Sequence, residues 1–425
     1  MKKILLLLFI LTVVFGGFII YNEFVKDKIP ILEIEEDIIN IDEIYVYGTH
    51  LNIHGEYNLD KNAEFILYNG EFISYDINIL EDTNNNNILE FNFSNLLNAG
   101  LYLDDLPIGN YYMFIRVADA ENIEETNEGY KYYALKNTSE HQNTTYYSMN
   151  NYDKKIIIDN EDIYPTMMMN VTKNDNSNVY DIVLDPGHGG MDGGASKNGY
   201  KETDFTMDMS IQIKKKLEDC GFKVKLTHEK DQLKDGEKLE EYGNEGRAVI
   251  PRTVEAKYLF SIHLNSSTYS SVSGLEIYTA KNIDYDFAKD LVANITNTTG
   301  LGTSNNKINK IDHGIYSRNF TKGEIDESID KYKEQNLLPY DINTKSNYYY
   351  MIRETGGIVT GAYVDNRNNK IVGNPYTQSN VGTESYILEL GYLSNKNDLD
   401  KVINGIDKYV ESISKSICNL YDTVE

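Results

Sequence analysis

The chain has 425 residues, and its 40 Lys and Arg against 66 Asp and Glu give a formal net charge of -26. This acidity argues against nucleic acid as the main partner, because phosphate binding needs a basic surface. Hydrophobic residues form 41% of the chain, which is enough for packed cores and excludes a wholly disordered protein. The length predicts about two or three domains.

The N-terminal segment has the pattern of a membrane anchor. Lys2 and Lys3 precede an uncharged run at residues 4–21, and these 18 residues lie near the lower limit for a helix that spans a bilayer. The lysines favour a cytoplasmic N-terminus. A cleaved signal peptide is the alternative, although residues 15–20 form a poor cleavage site. We predict that residues 1–25 are a cytoplasmic N-terminus and a single-pass anchor in the cell membrane, with the remainder extracytoplasmic; cleavage would make the protein secreted.

Many short strand-like segments, separated by turn residues, fill residues 41–171. Residues 89–93, for example, alternate apolar and polar side chains as a half-buried strand does. Short strands at this spacing predict an all-β, immunoglobulin-like domain. The sequence does not choose among a spacer, a binding module and a partner surface as the role of this domain.

The pattern changes after a polar linker at residues 170–178. Strand-like and helical segments then alternate, which predicts an α/β domain at 179–421 with a mostly parallel or mixed central sheet flanked by helices. The first helix is predicted at 203–219, where apolar residues recur every four positions and Gly221 follows. An apolar stripe predicts a final helix with Asn397 as its cap. The other segments predict strands at 180–184, 223–227, 258–262, 274–279 and 385–390, and a helix at 284–295.

Four ionisable side chains lie at the edges of these elements or inside an apolar run. His188 stands in the turn DPGHGG that follows a strand, and Glu202 directly precedes the first helix. His263 lies near the end of the apolar strand SIHLN, and Glu389 lies in the apolar run LELGY. Sheets of this type usually place their active groups at the carboxyl ends of strands. We therefore take these four residues as candidates for a common site.

Two histidines and one glutamate form the ligand set of a catalytic zinc site, in which the fourth position stays open. A second, unligated carboxylate would then act as general base and acid, and burial would raise the pKa of Glu389 toward that role. Each ligand candidate also has an ordinary interpretation, as a turn histidine, a core histidine or a helix N-terminal acid. A lone carboxylate in a buried strand is harder to explain in that way, because its burial is costly. Spacing alone does not prove that these residues converge, because the segments are far apart in sequence.

The sequence resembles the zinc-dependent N-acetylmuramoyl-L-alanine amidases of the Amidase_3 family. The resemblance rests on four features that occur in this order: DPGHGG, Glu202, SIHLN and LELGYLSN. The resemblance covers roughly residues 179–420. It implies a zinc hydrolase that cleaves the amide between the lactyl group of N-acetylmuramic acid and L-alanine in peptidoglycan. It also implies one Zn²⁺ per chain, held by His188, Glu202 and His263, with Glu389 as the catalytic carboxylate.

Two further residues belong to the matching segments, and their roles are open. Arg247 matches an arginine that recurs before the second histidine strand, where it would form a structural salt bridge or contact the substrate. Asn265 follows His263 in the SIHLN motif and is likewise a substrate or structural candidate. The chain departs from the family at Thr227 and His228, where an arginine is common, so we do not expect His228 to be a ligand.

A larger departure is an insertion at about residues 300–381, where shorter family members have much less chain. A surface excursion is one interpretation. A lid or autoinhibitory element over the metal is the other, because the insertion lies between the sheet and the strand of Glu389. Tyr348, Tyr349 and Tyr350 would either pack internally or line a glycan groove.

The two cysteines are Cys220 and Cys418. Two cysteines cannot build a disulfide framework or a four-cysteine zinc site. We expect both to behave as small buried hydrophobic residues near helix ends.

The leading hypothesis is an anchored peptidoglycan amidase. The alternatives are a wall-binding scaffold with little activity and a zinc peptidase that acts on stem peptides. The expected partners are peptidoglycan and, through residues 1–25, the membrane, while nucleic acid is not expected. The sequence leaves open an activator protein, and it leaves open a role in vegetative growth, sporulation or germination.

Overall fold

The computed structural model describes most of the chain from residue 34 onward. Among the residues it describes, no helix is long and apolar enough to cross a membrane. The predicted anchor at residues 1–25 lies outside these residues and stays a prediction. The described ranges are 34–57, 63–76, 78–80, 89–92, 94–95, 98–118, 130–138, 144–149, 154–159, 166–174, 178–197, 199–229, 246–281, 283–319, 321–334, 349–357, 359–360 and 381–422.

The described residues up to Lys173 form short strands, as the alternation in the sequence predicts. The polar linker predicted at 170–178 begins too early, because residues 170–173 pair with a neighbouring strand. They are β1 (Ile34–Tyr47), β2 (His50–Tyr57), β3 (Ala63–Tyr68), β4 (Phe72–Asp76), β5 (Asn78–Leu80), β6 (Leu89–Asn92), β7 (Ser94–Asn95), β8 (Asn98–Ala99), β9 (Leu101–Tyr102), β10 (Gly109–Ala118), β11 (Tyr130–Asn137), β12 (Thr144–Tyr147), β13 (Lys154–Asp159) and β14 (Met168–Lys173). An apolar core that includes Ile44, Leu51, Phe65 and Met113 packs among these strands.

Most of these strands belong to a single 13-stranded sheet whose main path runs β12-β13-β14-β10-β11-β1-β2-β6-β5. Strand β1 pairs with β11 in parallel and with β2 in antiparallel orientation. The immunoglobulin-like prediction is not confirmed, because that fold has two separately hydrogen-bonded sheets. The boundaries predicted for this domain, 41–171, stay a prediction.

The α/β part follows the linker. Its strands are β15 (Ile182–Pro186), β16 (Ser196–Lys197), β17 (Tyr200–Lys201), β18 (Val224–Leu226), β19 (Tyr258–Asn265), β20 (Glu276–Tyr278), β21 (Lys310–Asp312), β22 (Ile315–Tyr316), β23 (Val381–Gly382) and β24 (Glu384–Tyr392). Its helices are α1 (Glu202–Asp219), α2 (Ile250–Thr253), α3 (Asp286–Thr299), α4 (Lys322–Glu334), α5 (Tyr350–Thr355) and α6 (Lys396–Asp422), with a 3₁₀ turn at Arg247–Val249.

The central sheet has seven strands in the order β18-β15-β19-β24-β20-β22-β21. Strands β18, β15, β19 and β24 run parallel to one another, whereas β20 is antiparallel to β24. The prediction of an α/β domain with a mixed sheet and helices is therefore confirmed. Because β15, β19 and β24 are adjacent and parallel, their carboxyl ends meet at one edge of the sheet.

Helix α1 buries the stripe that its sequence predicts. Phe205, Met209, Ile213 and Leu217 are all buried against the sheet, and the helix ends before Gly221, which has a φ of +93°. A left-handed residue after the last turn is a common way to end a helix, and glycine adopts it without strain.

The cap of the final helix differs from the sequence prediction. Helix α6 begins at Lys396, so the preceding Asn395, and not Asn397, is the cap. The Oδ1 atom of Asn395 accepts hydrogen bonds from the backbone N–H groups of Asn397 and Asp398 at 3.0 and 3.2 Å. A cap residue must precede the first helical residue to reach these N–H donors. The apolar stripe in the sequence did not show where the helix begins, so the cap was predicted two residues too late.

The N-terminal strands attach to the α/β part at the edge opposite the strand carboxyl ends. Strand β1 pairs with β23 through Val46 and Val381, and the N–H of Gly48 donates to the carbonyl of Gly382 at 3.0 Å. The N-terminal strand region thus contacts the segment that leads directly into β24.

The two cysteines form a disulfide, so the expectation of two independent buried thiols is wrong. Cys220 follows α1 and Cys418 lies in α6, 198 residues further along the chain. Helices α1 and α6 pack together, and this tertiary contact brings the two cysteines within bonding distance although the sequence gives no sign of it. The bond links the first and last helices of the α/β part.

We expect removal of this disulfide to destabilise the α/β part. A bond that closes a loop of this length restricts the unfolded chain, and its loss typically costs about 2–4 kcal/mol. Urea unfolding should show a lower midpoint for Cys220→Ser/Cys418→Ser than for the parent protein. Reducing agent should lower the midpoint of the parent and leave that of the double variant unchanged; equal midpoints for both proteins would contradict the stabilising role.

Candidate active site

The turn after β15 brings His188 to the sheet edge. The backbone of His188 has a φ of +65°, a conformation that is uncommon for residues other than glycine. Gly187 packs closely against His263 of β19: a Cβ added at Gly187 would come within 2.4 Å of Cε1 of His263. Gly194 has a φ of +63°, and an added Cβ would come within 2.6 Å of Oε2 of Glu202. The glycine-rich sequence around His188 therefore permits a close approach of backbone to site residues.

Glu202 lies between the two histidines. Its Oε2 atom is 3.1 Å from Nε2 of His188, and its Oε1 atom is 2.9 Å from Nδ1 of His263. One ligand atom from each of the three residues lies within 4.8 Å of the other two. Three segments that are far apart in sequence thus place two imidazoles and one carboxylate around one point.

Backbone donors fix the orientation of the Glu202 carboxylate. The N–H of Ala195 donates to Oε2 and the N–H of Leu264 donates to Oε1, both at 2.9 Å. Asp192 orients the first histidine, because its carboxylate lies 2.8 Å from Nδ1 of His188. A carboxylate at Nδ1 holds the proton there and leaves Nε2 as the ligand nitrogen.

The charges of the site favour protonated histidines when no cation is bound. Burial alone would lower the pKa of His188, but Glu202 and Asp192 outweigh it and raise the pKa to about 9. The pKa of His263 is also raised, because Glu202 outweighs the effect of burial. The two histidines in turn hold the pKa of Glu202 well below its usual range, despite its burial. A cation that bound here would replace protons in the same electrostatic field.

Glu389 lies beside this cluster. It is directly opposite His263 in the pairing of β24 with β19, and it is 8% exposed. Among the described residues, no hydrogen-bond partner reaches its buried Oε2 atom. Burial raises its pKa to about 7; His263 lowers it, while Glu202 and Glu276 raise it. Such a carboxylate can both take and return a proton near neutral pH.

Arg247 forms a buried structural ion pair beneath the site. Its Nη1 atom donates to both carboxylate oxygens of Asp185 at 3.0 and 3.1 Å and to the carbonyl of Pro186 at 3.2 Å. Arg247 is 4% exposed and Asp185 is fully buried. Burial would raise the pKa of Asp185, but Arg247 and the hydroxyl of Ser261 outweigh it and lower the pKa. Of the two roles left open for Arg247, this geometry favours the structural one.

Asn265 is held by a buried carboxylate that the sequence did not single out. Its Nδ2 atom donates to Glu276 at 3.0 Å, and Glu276 also accepts the hydroxyls of Tyr278, Tyr392 and Ser304 at 2.6–2.7 Å. Glu276 is fully buried and lies opposite Glu389 in the pairing of β20 with β24. This arrangement favours a structural role for Asn265.

Sequence reasoning also missed Asp192 and the role of Asp185. The signal for Asp192 is its position four residues after His188 in a glycine-rich turn, which lets the side chain fold back onto the ring. His228 is not part of the ligand group found among the described residues.

Part of the insertion forms a wall of the site. A cavity of about 280 Å³ contains the four candidate residues, and Glu324, Tyr349 and Met351 line its other side. Arg318 donates two hydrogen bonds to Glu324 at 2.9 and 2.6 Å and lies 3.4 Å from the ring centroid of Tyr349. Tyr350 is buried in the core, whereas Tyr348 lies outside the described residues. Of the tyrosine run, Tyr349 is thus the described residue that lines the cavity.

The residues at this point fit a zinc ion. Zinc sites with three protein ligands use histidine nitrogens and carboxylate oxygens, and the imidazole of His188 is oriented by the carboxylate of Asp192. Glu389 lines the same cavity, and its buried Oε2 atom has no hydrogen-bond partner among the described residues. The donor set and the second carboxylate therefore have the composition of a hydrolytic metal site.

Comparison with known proteins gives a family for the α/β part. Residues 182–419 match the N-acetylmuramoyl-L-alanine amidase family, Amidase_3. The germination-specific N-acetylmuramoyl-L-alanine amidase of Bacillus subtilis is 32% identical over 154 residues, which are 33% of this chain and 62% of that protein. The probable cell wall amidase LytH of Staphylococcus saprophyticus is 31% identical over 117 residues, which are 27% of this chain and 36% of that protein. The chain thus spans less than two thirds of the length of either relative.

A solved structure is also similar to part of the chain. The N-acetylmuramoyl-L-alanine amidase AmiC2 of Nostoc punctiforme aligns with a TM-score of 0.36 and 20% identity, over 58% of this chain and 99% of that chain.

We expect Gly194→Ala to weaken zinc binding at least about tenfold, the scale of changes in residues that support a metal site. The added methyl group would press on Glu202 and His188 and move ligand atoms. Gly199→Ala is the matched control, because Gly199 also has a positive φ, +85°, but has no atom within 4 Å of an added Cβ. Competition with a zinc chelator measures both affinities. Equal affinities in the two variants would show that the close approach at Gly194 does not support the site.

Proposed function

The chain belongs to the N-acetylmuramoyl-L-alanine amidase family, and on that premise we propose that it is a peptidoglycan hydrolase. The bond cleaved is the amide between the lactyl group of N-acetylmuramic acid and L-alanine of the stem peptide. The observation that carries this proposal is the convergence of His188, Glu202 and His263 beside the buried carboxylate of Glu389.

We propose that His188, Glu202 and His263 hold one Zn²⁺ per chain. When bound, zinc acts as a Lewis acid toward a carbonyl oxygen and increases the acidity of water. Asp192 keeps Nε2 of His188 free for this role by holding the proton on Nδ1. The backbone N–H groups of Ala195 and Leu264 hold the glutamate ligand in place.

Glu389 is the proton carrier of the proposed reaction. Its raised pKa, about 7, suits a group that accepts a proton from water and returns it to the leaving amine of L-alanine. Its position opposite His263 places it beside the metal ligands without making it one of them. Tyr349 and Met351 line the cavity in which the reacting amide would lie.

The proposed site of action is the outer face of the cell membrane. The uncharged run at residues 4–21 supports an uncleaved anchor, and the disulfide between Cys220 and Cys418 suits an oxidising, extracytoplasmic compartment. The partners proposed are peptidoglycan and the membrane, and an activator protein stays open.

Two other functions compete with the amidase. A wall-binding scaffold with little activity would not require Glu389 in its buried position. A zinc peptidase would use the same groups but would cut between amino acids of the stem peptide. Product analysis separates the two hydrolases, because an amidase releases peptides with a free L-alanine amino group from intact glycan chains.

We expect Glu389→Gln to reduce peptidoglycan cleavage by at least about 100-fold, since it removes the proton carrier and keeps the side-chain shape. The full-length protein is incubated with purified peptidoglycan, and newly exposed L-alanine amino groups are counted. Bound zinc is measured in parallel and should be unchanged. Glu411→Gln, a change at an exposed residue of α6, is the control.

Zinc near one per chain with cleavage lost in Glu389→Gln supports the assignment. Cleavage that persists in this variant contradicts the role of Glu389, and a folded protein without bound zinc contradicts the metal assignment. Release of peptides with a different N-terminal residue favours the peptidase.

We further propose that helix α4, a described part of the insertion, is a lid. Glu324, at the start of α4, lines the cavity that contains the metal ligands. The N–H and hydroxyl of Thr321 donate to Glu324 at 2.7 and 2.8 Å, and Arg318 pairs with the same carboxylate. The beginning of α4 is thereby attached to the cavity wall, where it limits access for a polymeric substrate.

Deleting residues 323–335 is expected to increase the rate of peptidoglycan cleavage, because the substrate would reach the site without displacing α4. The rate is compared with that of Lys322→Ala, which breaks the exposed pair with Asp326 and leaves α4 in place. An unchanged or lower rate in a folded deletion variant with normal zinc content would contradict the lid and favour a surface excursion.

A further inference from the structure

A second cavity, of about 340 Å³, lies next to the metal site. His188 lines both cavities, so the two are separated by its turn. One side of the second cavity is the turn from Pro186 to Gly190, and the other is a face of α1 together with His228. The residues on this face of α1 have no part in the proposed metal site or in the role of Glu389.

The face of α1 that lines the cavity carries Asp204, Met207, Asp208 and Ile211. These positions are spaced by three and four residues, so they form one stripe beside the buried stripe of the helix. Ile211 is 42% exposed, so its side chain is accessible at this face of the helix. The stripe therefore combines two carboxylates with two aliphatic groups.

The two carboxylates lack a cation among the described residues. Asp204 accepts the backbone N–H of Lys201 at 3.2 Å, and Asp208 accepts the side-chain amide of Gln212 at 3.1 Å, each through a single oxygen. Their other oxygens stay available. Like charges four residues apart on a helix repel each other by a few tenths of a kcal/mol, and no described Lys or Arg lines the cavity to offset this.

His228 adds a buried acceptor to the same cavity. Thr227 donates its hydroxyl proton to Asp185 at 2.7 Å, so its oxygen must act as acceptor toward Nδ1 of His228, 3.1 Å away. This assigns the proton of the neutral ring to Nδ1 and leaves a lone pair on Nε2. His228 is 4% exposed, and Nε2 has no hydrogen-bond partner among the described residues.

The protonation of His228 agrees with this assignment. Burial lowers its pKa to about 4; Asp185 opposes this shift and Arg247 adds to it, so the ring is neutral at physiological pH. The side chains of Asp204, Asp208 and His228 thus offer only hydrogen-bond acceptors to the cavity. Two of the three acceptors are negatively charged.

We propose that this cavity binds a primary ammonium group at the end of a short aliphatic chain. An ammonium group has three N–H donors and a positive charge, which match one lone pair and two carboxylates. The methylene groups of the chain would lie against Met207 and Ile211. A neutral hydroxyl group would leave the two carboxylates without a counter-charge.

The identity of the ligand rests on the proposed function. On that basis, the ammonium group belongs to an amine-bearing side chain of the peptidoglycan stem peptide. Because His188 lines both cavities, a peptide whose first amide lies at the metal site can extend into this one. The cavity would then select stem peptides by their free amine. An amino group on a glycan sugar is the other source of the same chemistry.

Ligand-observed NMR with the full-length protein tests the proposal without requiring catalysis. The probes are the tripeptide L-Ala-γ-D-Glu-L-Lys and the same peptide acetylated on the lysine Nε atom. We expect the dissociation constant of the free amine to be at least about fivefold lower than that of the acetylated form. In Asp204→Asn/Asp208→Asn this preference should disappear, whereas Asp219→Asn, at the exposed far end of α1, should retain it.

A second pair of probes, glucosamine and N-acetylglucosamine, distinguishes the source of the amine. A preference of the parent protein for glucosamine that exceeds the preference between the peptides would overturn the assignment to the stem peptide. Equal affinities for the two peptides, or a preference that survives in Asp204→Asn/Asp208→Asn, would overturn the cavity assignment. His228→Phe provides an independent check, because it removes the lone pair and keeps a buried ring, and it should also reduce the preference.

The outcome is separable from that of the proposed function. If peptidoglycan cleavage is observed and the peptides bind equally, only the ammonium cavity is wrong. If the amine preference is observed and no L-alanine amino groups are released from peptidoglycan, only the amidase assignment is wrong.

Discussion

The buried carboxylate of Asp185 holds together the sheet edge on which the site is built. It accepts hydrogen bonds from the hydroxyls of Thr227 and Ser261 and from Arg247, all within 3.1 Å, and it is fully buried. These contacts join β15, the end of β18, β19 and the 3₁₀ turn beneath the turn of His188. Removing one partner of a buried ion pair leaves an uncompensated charge, which typically costs about 3–5 kcal/mol. The positions of His188 and His263 relative to each other depend on this network.

Above that network, Glu202 links the two histidines directly. Its two oxygens contact one ring nitrogen each, and backbone N–H groups hold the carboxylate from the other side. The proposed ligands are joined by these hydrogen bonds, so a bound cation would find the side chains already in place. Glu389, on the next strand, takes no part in these contacts, and its Oε2 atom has no hydrogen-bond partner in the described part of the chain.

The sequence was most informative where function depends on short local motifs. His188, Glu202, His263 and Glu389 could be selected because each stands at the end of, or within, an element whose apolar pattern is clear, and adjacent parallel strands bring such positions together. The disulfide, the cap at Asn395 and the buried Glu276 could not be predicted, because they depend on the packing of α1 with α6, on the first residue of a helix and on a pairing across β20 and β24. The N-terminal strands were recognised by their alternation, but strand pairing in such a sheet depends on contacts that periodicity does not contain. The orientation of His228 likewise follows from Thr227 and Asp185, which become neighbours only in the folded protein.

Anomalous X-ray diffraction at the zinc absorption edge, from crystals grown with equimolar zinc, tests the central claim most directly. We predict one strong anomalous peak within coordination distance of Nε2 of His188, a carboxylate oxygen of Glu202 and a ring nitrogen of His263, with Glu389 outside the coordination sphere. A peak at this position that disappears when data are collected below the edge would identify the ion as zinc. The absence of a peak at these three residues, or a peak in which Glu389 is a ligand, would contradict the account.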